Sequence, residues 1–217
     1  MATDETRARI IEVAGPIFAE KGFRDATVRE ICAAADVGLA SVNYHFRDKQ
    51  QLYVHVVESA FDDLERHRPP LREWPAGTPV ETRLQESIEW LAHKVLASPK
   101  DSWPNRLLTR EIQAPTPACE GVLRRRIDAD LAPLNAILAD VLPAEEGTAQ
   151  CHQLVLSIIG QILIYDSHRD LVRLVRADES ESEVFQPSKI ARHVTRVSLA
   201  ALGLTVPIGC PRRGGQT

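Results

Sequence analysis

Five residues in one short run hold the most informative chemistry in this chain: Ala40, Ser41, Asn43, Tyr44 and His45. They bring a methyl, a hydroxyl, an amide, a phenol and an imidazole, with no acid and no long aliphatic among them. An amide can bond the edge of adenine in two places, a hydroxyl can donate or accept, and a methyl can meet the methyl of thymine. Thr27, Arg29, Tyr44 and Lys49 stand around the run as partners for phosphate oxygens, contacts that fix register without reading sequence. The same residues also fit a plain three-helix core with a polar outer face. Helical spacing alone leaves both readings open.

Such groups need rigid helices to present them. Thr27 and Glu30 form a capping box in which each side chain satisfies the other's backbone N–H. Val28, Ile31, Cys32 and Ala35 then share one face at helical spacing. Ala33, Ala34 and Ala35 are small enough for a second helix to approach closely. Asp36 tolerates a left-handed backbone, which suits a helix end, and Gly38 relaxes the chain before the next turn. Leu39 to His45 is the second helix, with Val42 inward, and Phe46 closes it. Asp48 caps a longer helix that starts at Lys49. Ahead of this pair, a first helix runs from Thr3 or Asp4 to about Lys21. Its inner stripe is Ile10, Val13, Ala14, Ile17 and Phe18, and Pro16 costs it a backbone bond or bends it slightly. Gly22 is the left-handed residue after that helix.

The first fifty or so residues resemble the DNA-binding domain of the TetR/AcrR family of bacterial transcription regulators. The likeness is carried by Ile10, Ala14, Phe18, Gly22, Phe23, Thr27, Ile31, Ala35, Val37, Ser41, Tyr44, His45, Phe46, Lys49 and Leu52. Its most specific part is Tyr44-His45-Phe46 followed by Lys49 and Leu52. Family members usually carry glycine where Asp36 stands, and many carry an aromatic where Asn43 stands. The first departure keeps the backbone requirement; the second alters which bases are read. Further along, REIQAPTPA (110–118) and GQILIY (160–165) are similar to the C-terminal domain of the CecR-type branch. That resemblance implies a ligand-regulated repressor, in some cases linked to drug sensitivity or efflux.

The remaining chain reads as helices separated by proline and glycine. Helix four spans Lys49 to about His67, with Leu52, Val56, Ala60 and Leu64 on one line and Tyr53, Val57 and Phe61 beside it, so it touches two partners. Arg68 to Thr78 is a linker in which Trp74 docks on a neighbour. Helix five begins at Pro79 and ends at Pro99; helix six is capped by Ser102, with Pro104 in its first turn. Arg110 and Glu111 read as an exposed helix face or as part of a pocket. Helix seven covers Val122 to Leu142, bent or interrupted by Pro133. Its Arg124–Arg126 run reads as a solvated face, with an acidic partner or DNA as alternatives. Helix eight spans about Thr148 to Arg176 and is apolar nearly all round, so it must be covered on all sides. An acidic mobile loop follows from Ala177 to Phe185, and helix nine runs from Ser188 to Gly203. Small residues at Ser157, Gly160, Ala191, Ser198 and Ala201 let helices eight and nine meet closely. They read as a homodimer interface, or as the core of a monomer.

Of 217 residues, 44% are hydrophobic and 5% aromatic, which fits cores of Leu, Ile, Val and Ala. No run reaches the roughly twenty apolar residues of a membrane span, and no signal peptide is evident, so a cytoplasmic protein is expected. Cys32, Cys119, Cys151 and Cys210 are scattered without metal or redox spacing. Asp63 with His67 and Glu89 with His93 stand four apart but read as solvated pairs. Net charge is −4, and the first fifty residues hold seven Lys/Arg against eight Asp/Glu. Binding to DNA should therefore be modest without sequence specificity, with a shallow salt dependence. Neither a phosphate-cradling glycine loop nor a nucleophile elbow is found, which argues against an enzyme.

The fold expected is all-α, with about nine helices. A helix-turn-helix domain covers 1–50, helix four (49–67) links it onward, an effector-binding and dimerisation domain covers 68–206, and 207–217 is a flexible tail. The partners expected are a double-stranded DNA operator, a small-molecule effector, and a second copy through helices eight and nine. No cofactor, metal or membrane is expected. Trp103, Leu107, Glu111, Gln161 and Tyr165 are the candidate lining of the effector pocket, because they place aromatic and polar groups among apolar ones. The alternative is a DNA-binding regulator without an effector.

Overall fold

A computed structural model describes residues 2–66, 70–97, 100–143 and 147–204. Among them are eleven α-helices and no strand. In chain order these are α1 (Ala2–Asp25), α2 (Val28–Ala35), α3 (Leu39–Phe46), α4 (Lys49–Arg66), α5 (Val80–Leu96), α6 (Trp103–Gln113), α7 (Glu120–Ala139), α8 (Gly147–Ser167), α9 (Arg169–Val175), α10 (Glu181–Val184) and α11 (Pro187–Ala201). A single 3-10 turn, Pro117–Cys119, leads into α7. The expected ends at His67, the loop residues 144–146 and the tail 207–217 lie outside the described residues.

Eleven helices replace about nine for local reasons. The expected eighth helix is broken at His168, whose φ and ψ are −126° and 43°. Just before it, Ser167 Oγ donates to the Leu163 carbonyl at 2.8 Å, a back-bond that competes with the helix ladder and bends it. The acidic stretch expected as a loop contains the single turn α10, and its acids engage α9: Glu181 pairs with Arg169 and Arg173. Pro133 lies inside an uninterrupted α7, and Pro16 lies inside α1, whose helical backbone is broken at Gly22 (φ 77°, ψ 177°), the expected end of the first helix.

The chain divides into two compact units that do not follow chain order. One gathers the described residues within 1–69 and 98–128; the other gathers those within 70–97 and 129–217. A single boundary at residue 68 does not describe this packing, because α6 and the start of α7 return to the N-terminal helices.

In the first unit, Ile10, Ala14 and Phe18 of α1, Ile31 of α2, Val42 and Phe46 of α3, Leu52 and Val56 of α4 and Leu107 of α6 share one apolar core. Phe18 and Phe23 meet the Tyr53 ring at 4.8 and 5.0 Å between centroids, contacts worth about 0.5–1.5 kcal/mol each beyond area burial. Trp103 lies across Gly15: a Cβ there would stand 2.6 Å from the indole. The Arg124–Arg126 run finds its acidic partner inside the unit. Arg126 pairs with Asp62 and Glu65, and Arg125 with Glu58, all on α4.

The second unit packs Leu84 and Ile88 of α5, Leu134 and Leu138 of α7, Ile158 and Ile162 of α8, and Val194 and Leu199 of α11. Lys94–Asp130 and Arg83–Asp140 tie α5 to α7 and its end. Trp74 docks by donating its indole N–H to Glu86 at 2.7 Å. Leu156, Leu163 and Ile164 of α8 and Val197 of α11 stay exposed. So do Leu171, Leu174 and Val175 of α9.

Candidate nucleic-acid interface

The helix pair α2–α3 is fixed at each junction by a specific bond set. Glu30 N–H donates to Thr27 Oγ1 at 3.2 Å, and Thr27 N–H donates back to Glu30 Oε2 at 3.1 Å, closing the capping box. Lys21 pairs with Glu30 and holds its carboxyl below the usual carboxylate range, helped by the bonds from Thr27. At the other end Asp36 takes φ 51° and ψ 53°. Asp36 N–H then donates to the Ala33 carbonyl and Val37 N–H to the Cys32 carbonyl, a complete Schellman motif. Gly38 opens α3 and has no side chain to cap it; its carbonyl accepts from Ser41 N–H at 3.0 Å, and the N–H groups of Leu39 and Ala40 are left to outside partners.

Val42 and Phe46 anchor α3 in the core, and this orients the rest of the helix. Ala40, Asn43 and Tyr44 are exposed, Tyr44 to 77%; Ser41 and His45 are half-buried. His45 stacks edge-on with Tyr44 at 5.1 Å between ring centroids. The five groups of the run are therefore on or near the surface of one short, well-anchored helix. The exit from α3 is strained. Arg47 has φ 67° and ψ −52°, and Asp48 N–H donates to the Phe46 carbonyl at 2.7 Å. This is a γ-turn with positive φ, a rare form. It frees Asp48 to cap α4, accepting from Gln51 N–H at 2.8 Å.

Of the expected phosphate partners, Thr27 and Arg29 are exposed at the start of α2. Lys49 is half-buried and already occupied: its ammonium donates to the Arg24 carbonyl at 3.1 Å and stands 4.9 Å from the Phe23 ring centroid. It fastens the start of α4 to the end of α1.

The candidate pocket residues are placed as follows. Trp103, Leu107 and Glu111 are on α6 in the first unit; Gln161 and Tyr165 are on α8 in the second. Leu107 is fully buried among apolar side chains. Gln161 donates to the Ser157 carbonyl of its own helix at 3.2 Å, and Tyr165 meets Phe185 edge-on at 6.4 Å. Glu111 is only 1% exposed. Its carboxylate accepts from Tyr53 Oη at 2.6 Å and from Thr116 N–H and Oγ1 at 2.5 and 3.1 Å. Burial, then the bond to Glu111, pushes the Tyr53 phenol far above its ordinary range. Burial and the charges of Glu111 and Glu58 likewise push the Cys119 thiol up to about 12, which leaves it unreactive. The partner of Glu111 stands 58 residues away, so no local pattern shows it. Arg110 also has a role that spacing does not reveal. Its guanidinium lies over Gly22 and donates to the Glu20 carbonyl at 3.3 Å. Among the described residues no group of three or more His, Cys, Asp or Glu could hold a metal, and no helix is long and apolar enough to cross a membrane.

With this geometry in view, residues 10–56 match the family described as bacterial regulatory proteins, tetR family. Residues 80–202, more than half of the chain, match the C-terminal domain of the HTH-type transcriptional dual regulator CecR. The HTH-type transcriptional regulator UidR of Escherichia coli is 30% identical over 109 residues, half of each chain. The HTH-type transcriptional repressor KstR2 of Rhodococcus jostii is 34% identical over 58 residues, 27% of this chain and 28% of that one. The chain thus spans between about a quarter and a half of the length of these curated relatives. Among solved structures, AibR in complex with isovaleryl coenzyme A and operator DNA has a TM-score of 0.58 at 16% identity, covering 94% of this chain and all of that one. A transcriptional regulator from Rhodococcus sp. Rha1 gives 0.55 at 18%, covering 93% and 96%. At these identities the structures speak for the fold.

Proposed function

This chain belongs to the TetR family of bacterial transcription regulators, with a C-terminal domain of the CecR type, and we propose that it binds a near-palindromic operator as a homodimer and is released or retained by a small molecule. The observation that carries the reading is α3. Its inner face is locked by Val42 and Phe46, and its outer face offers Ala40, Ser41, Asn43, Tyr44 and His45 with no acid among them. Asn43 and Ser41 read base edges, Ala40 meets a thymine methyl, and Thr27, Arg29 and Tyr44 address phosphates, with Lys49 reaching one only through an ammonium proton not given to the Arg24 carbonyl. His45, partly covered by Tyr44, sets the position of that phenol.

The dimer is proposed through α8 and α11, the counterparts of the expected helices eight and nine. In its support, Leu156 is 68% exposed and shares a stripe with Gly160, Leu163 and Ile164, while Val197 is exposed on α11. Two copies of α3 then enter successive major grooves about 34–36 Å apart. The wild-type chain should run as a dimer in light scattering and Leu156→Glu as a monomer; a monomeric wild type contradicts the reading. Control by an effector is supported by the return of α6 and the start of α7 to the N-terminal helices. Both start within the CecR-type segment, and both hold α4, through Glu111 and Arg126. An effector can shift such an arrangement only by its difference in affinity between two states. Gln161 and Tyr165 of α8 remain proposed effector contacts, tested by ligand affinity in Tyr165→Ala; Leu107 and Glu111, with Trp103 packed on Gly15, serve the core of the first unit instead. A regulator of this family acts on DNA in the cytoplasm. Footprinting on the DNA beside its own gene should show two protected half-sites, and no protection at all would remove the proposal.

A further inference from the structure

We propose that the first unit carries a binding site for a small organic anion, a carboxylate or phosphate monoester with an apolar body, at the junction of α1, α4 and the segment after α6. A cavity of about 710 Å³ lies there, bordered by residues 21–25, by Tyr53, by Arg110 and Glu111, and by residues 114–117. That is the size of a small-molecule site. Its accessible wall is apolar and rigid: Phe23, Pro115 and Pro117 border it, and the two prolines are exposed.

The charge at its mouth is positive. Arg24 and Arg110 both border the cavity and are exposed. Neither is in an ion pair among the described residues, and the contact Arg110 makes is a long one to a backbone carbonyl. Lys21 is spent on Glu30, and Asp25 is the one exposed acid bordering the cavity among the described residues. Glu111 also borders it, but at 1% exposure and with three donors already on its oxygens it does not face an incoming ligand. An organic cation would thus meet two guanidinium groups at the entrance, whereas an anion meets two planar forks suited to carboxylate or phosphate oxygens. Gly22 makes the approach possible. Its φ of 77° and ψ of 177° are a glycine conformation, and a Cβ there would stand 2.9 Å from the Arg110 guanidinium.

The site deepens the effector reading and rests on it only for its consequence. Capture of an anion by Arg110 draws that side chain from the end of α1 and loads the segment that fastens Tyr53 of α4. Binding itself is tested on the full chain by calorimetry with octanoate and octyl phosphate, using octylammonium as the charge-reversed control. Both anions should bind, octylammonium should not, and Arg24→Gln and Arg110→Gln should each weaken the anions about tenfold or more. Arg24→Gln removes no side-chain hydrogen bond or ion pair among the described residues, so a folding defect in Arg110→Gln does not spoil the test. The proposal is overturned if neither anion binds at millimolar concentration, if octylammonium binds as well, or if both variants bind the anions like wild type. It is also overturned if the variants lose only duplex affinity, since the arginines would then be phosphate contacts. If the anions bind as expected but leave operator affinity unchanged, the site stands and the effector reading alone fails.

Discussion

Tyr53→Phe deletes one oxygen from the buried link between α4 and α6. The ring stays and keeps its contacts with Phe18 and Phe23. What is lost is a 2.6 Å bond between two side chains that are each 1% exposed. Glu111 Oε2 is left with the 3.1 Å bond from Thr116 Oγ1, and Oε1 with the 2.5 Å bond from Thr116 N–H. A hydrogen bond to a charged group contributes about 1.5–3 kcal/mol, and a buried acceptor that loses its donor incurs its desolvation cost. For a chain of this size that is a fall of about 3–12 °C in Tm. The pH dependence carries a second signature. The folded-state phenol titrates above its unfolded value, so its contribution is fully present below about pH 10 and declines above it, as the unfolded phenol ionises. The wild type should therefore lose its advantage over Tyr53→Phe as pH rises past that point. Urea melts between neutral and alkaline pH read both effects. A loss below about 0.5 kcal/mol at neutral pH, or a gap that does not narrow in alkali, would contradict a buried Tyr53–Glu111 bond.

Other consequences are equally direct. Gly15→Ala improves helix propensity by about 1 kcal/mol, yet the new methyl collides with Trp103, an overpacking cost of about 1–3 kcal/mol. It should destabilise the wild type by up to about 2 kcal/mol and stabilise a Trp103→Ala background, and the same sign in both backgrounds would disprove the contact. Arg47→Gly relieves the positive φ at the exit of α3 and should raise stability by about 1 kcal/mol; a loss in thermal melts counts against the strain. Because Lys21 and Thr27 depress the Glu30 carboxyl, its contribution is present above its unfolded value and fades as pH falls through the folded one, below roughly pH 4. Glu30→Gln should accordingly matter at neutral pH and cease to matter in acid, which melts across that range will show.

What was legible in the sequence was local. Thr27 and Glu30 are three apart, Asp36 and Gly22 each end a helix by their own backbone, and Val42 faces inward by helical period; a reader of the chain can place all of these. The run Ala40–His45 was legible for the same reason, since one eight-residue helix exposes it. What stayed hidden was non-local or side-chain driven. Glu111 is buried only because Tyr53 and Thr116 converge on it. Arg126 is paired only because α7 returns to α4. The break at His168 follows from the bond Ser167 makes to its own helix, and the γ-turn at Arg47 lies in a segment with no glycine to announce it. The division of the chain was hidden as well, because α6 leaves its sequence neighbours to pack with α1 and α4.

The central claim is that the outer face of α3 reads base edges. Fluorescence anisotropy with single-base variants of the inverted repeat beside the gene tests it most directly, comparing wild type with Asn43→Ala and Tyr44→Ala. Asn43→Ala should relax discrimination by about 1–3 kcal/mol at one base step in each half-site, while Tyr44→Ala should weaken every duplex alike. An Asn43→Ala protein that loses affinity equally for all duplexes, or a wild type that does not tell them apart, contradicts the claim.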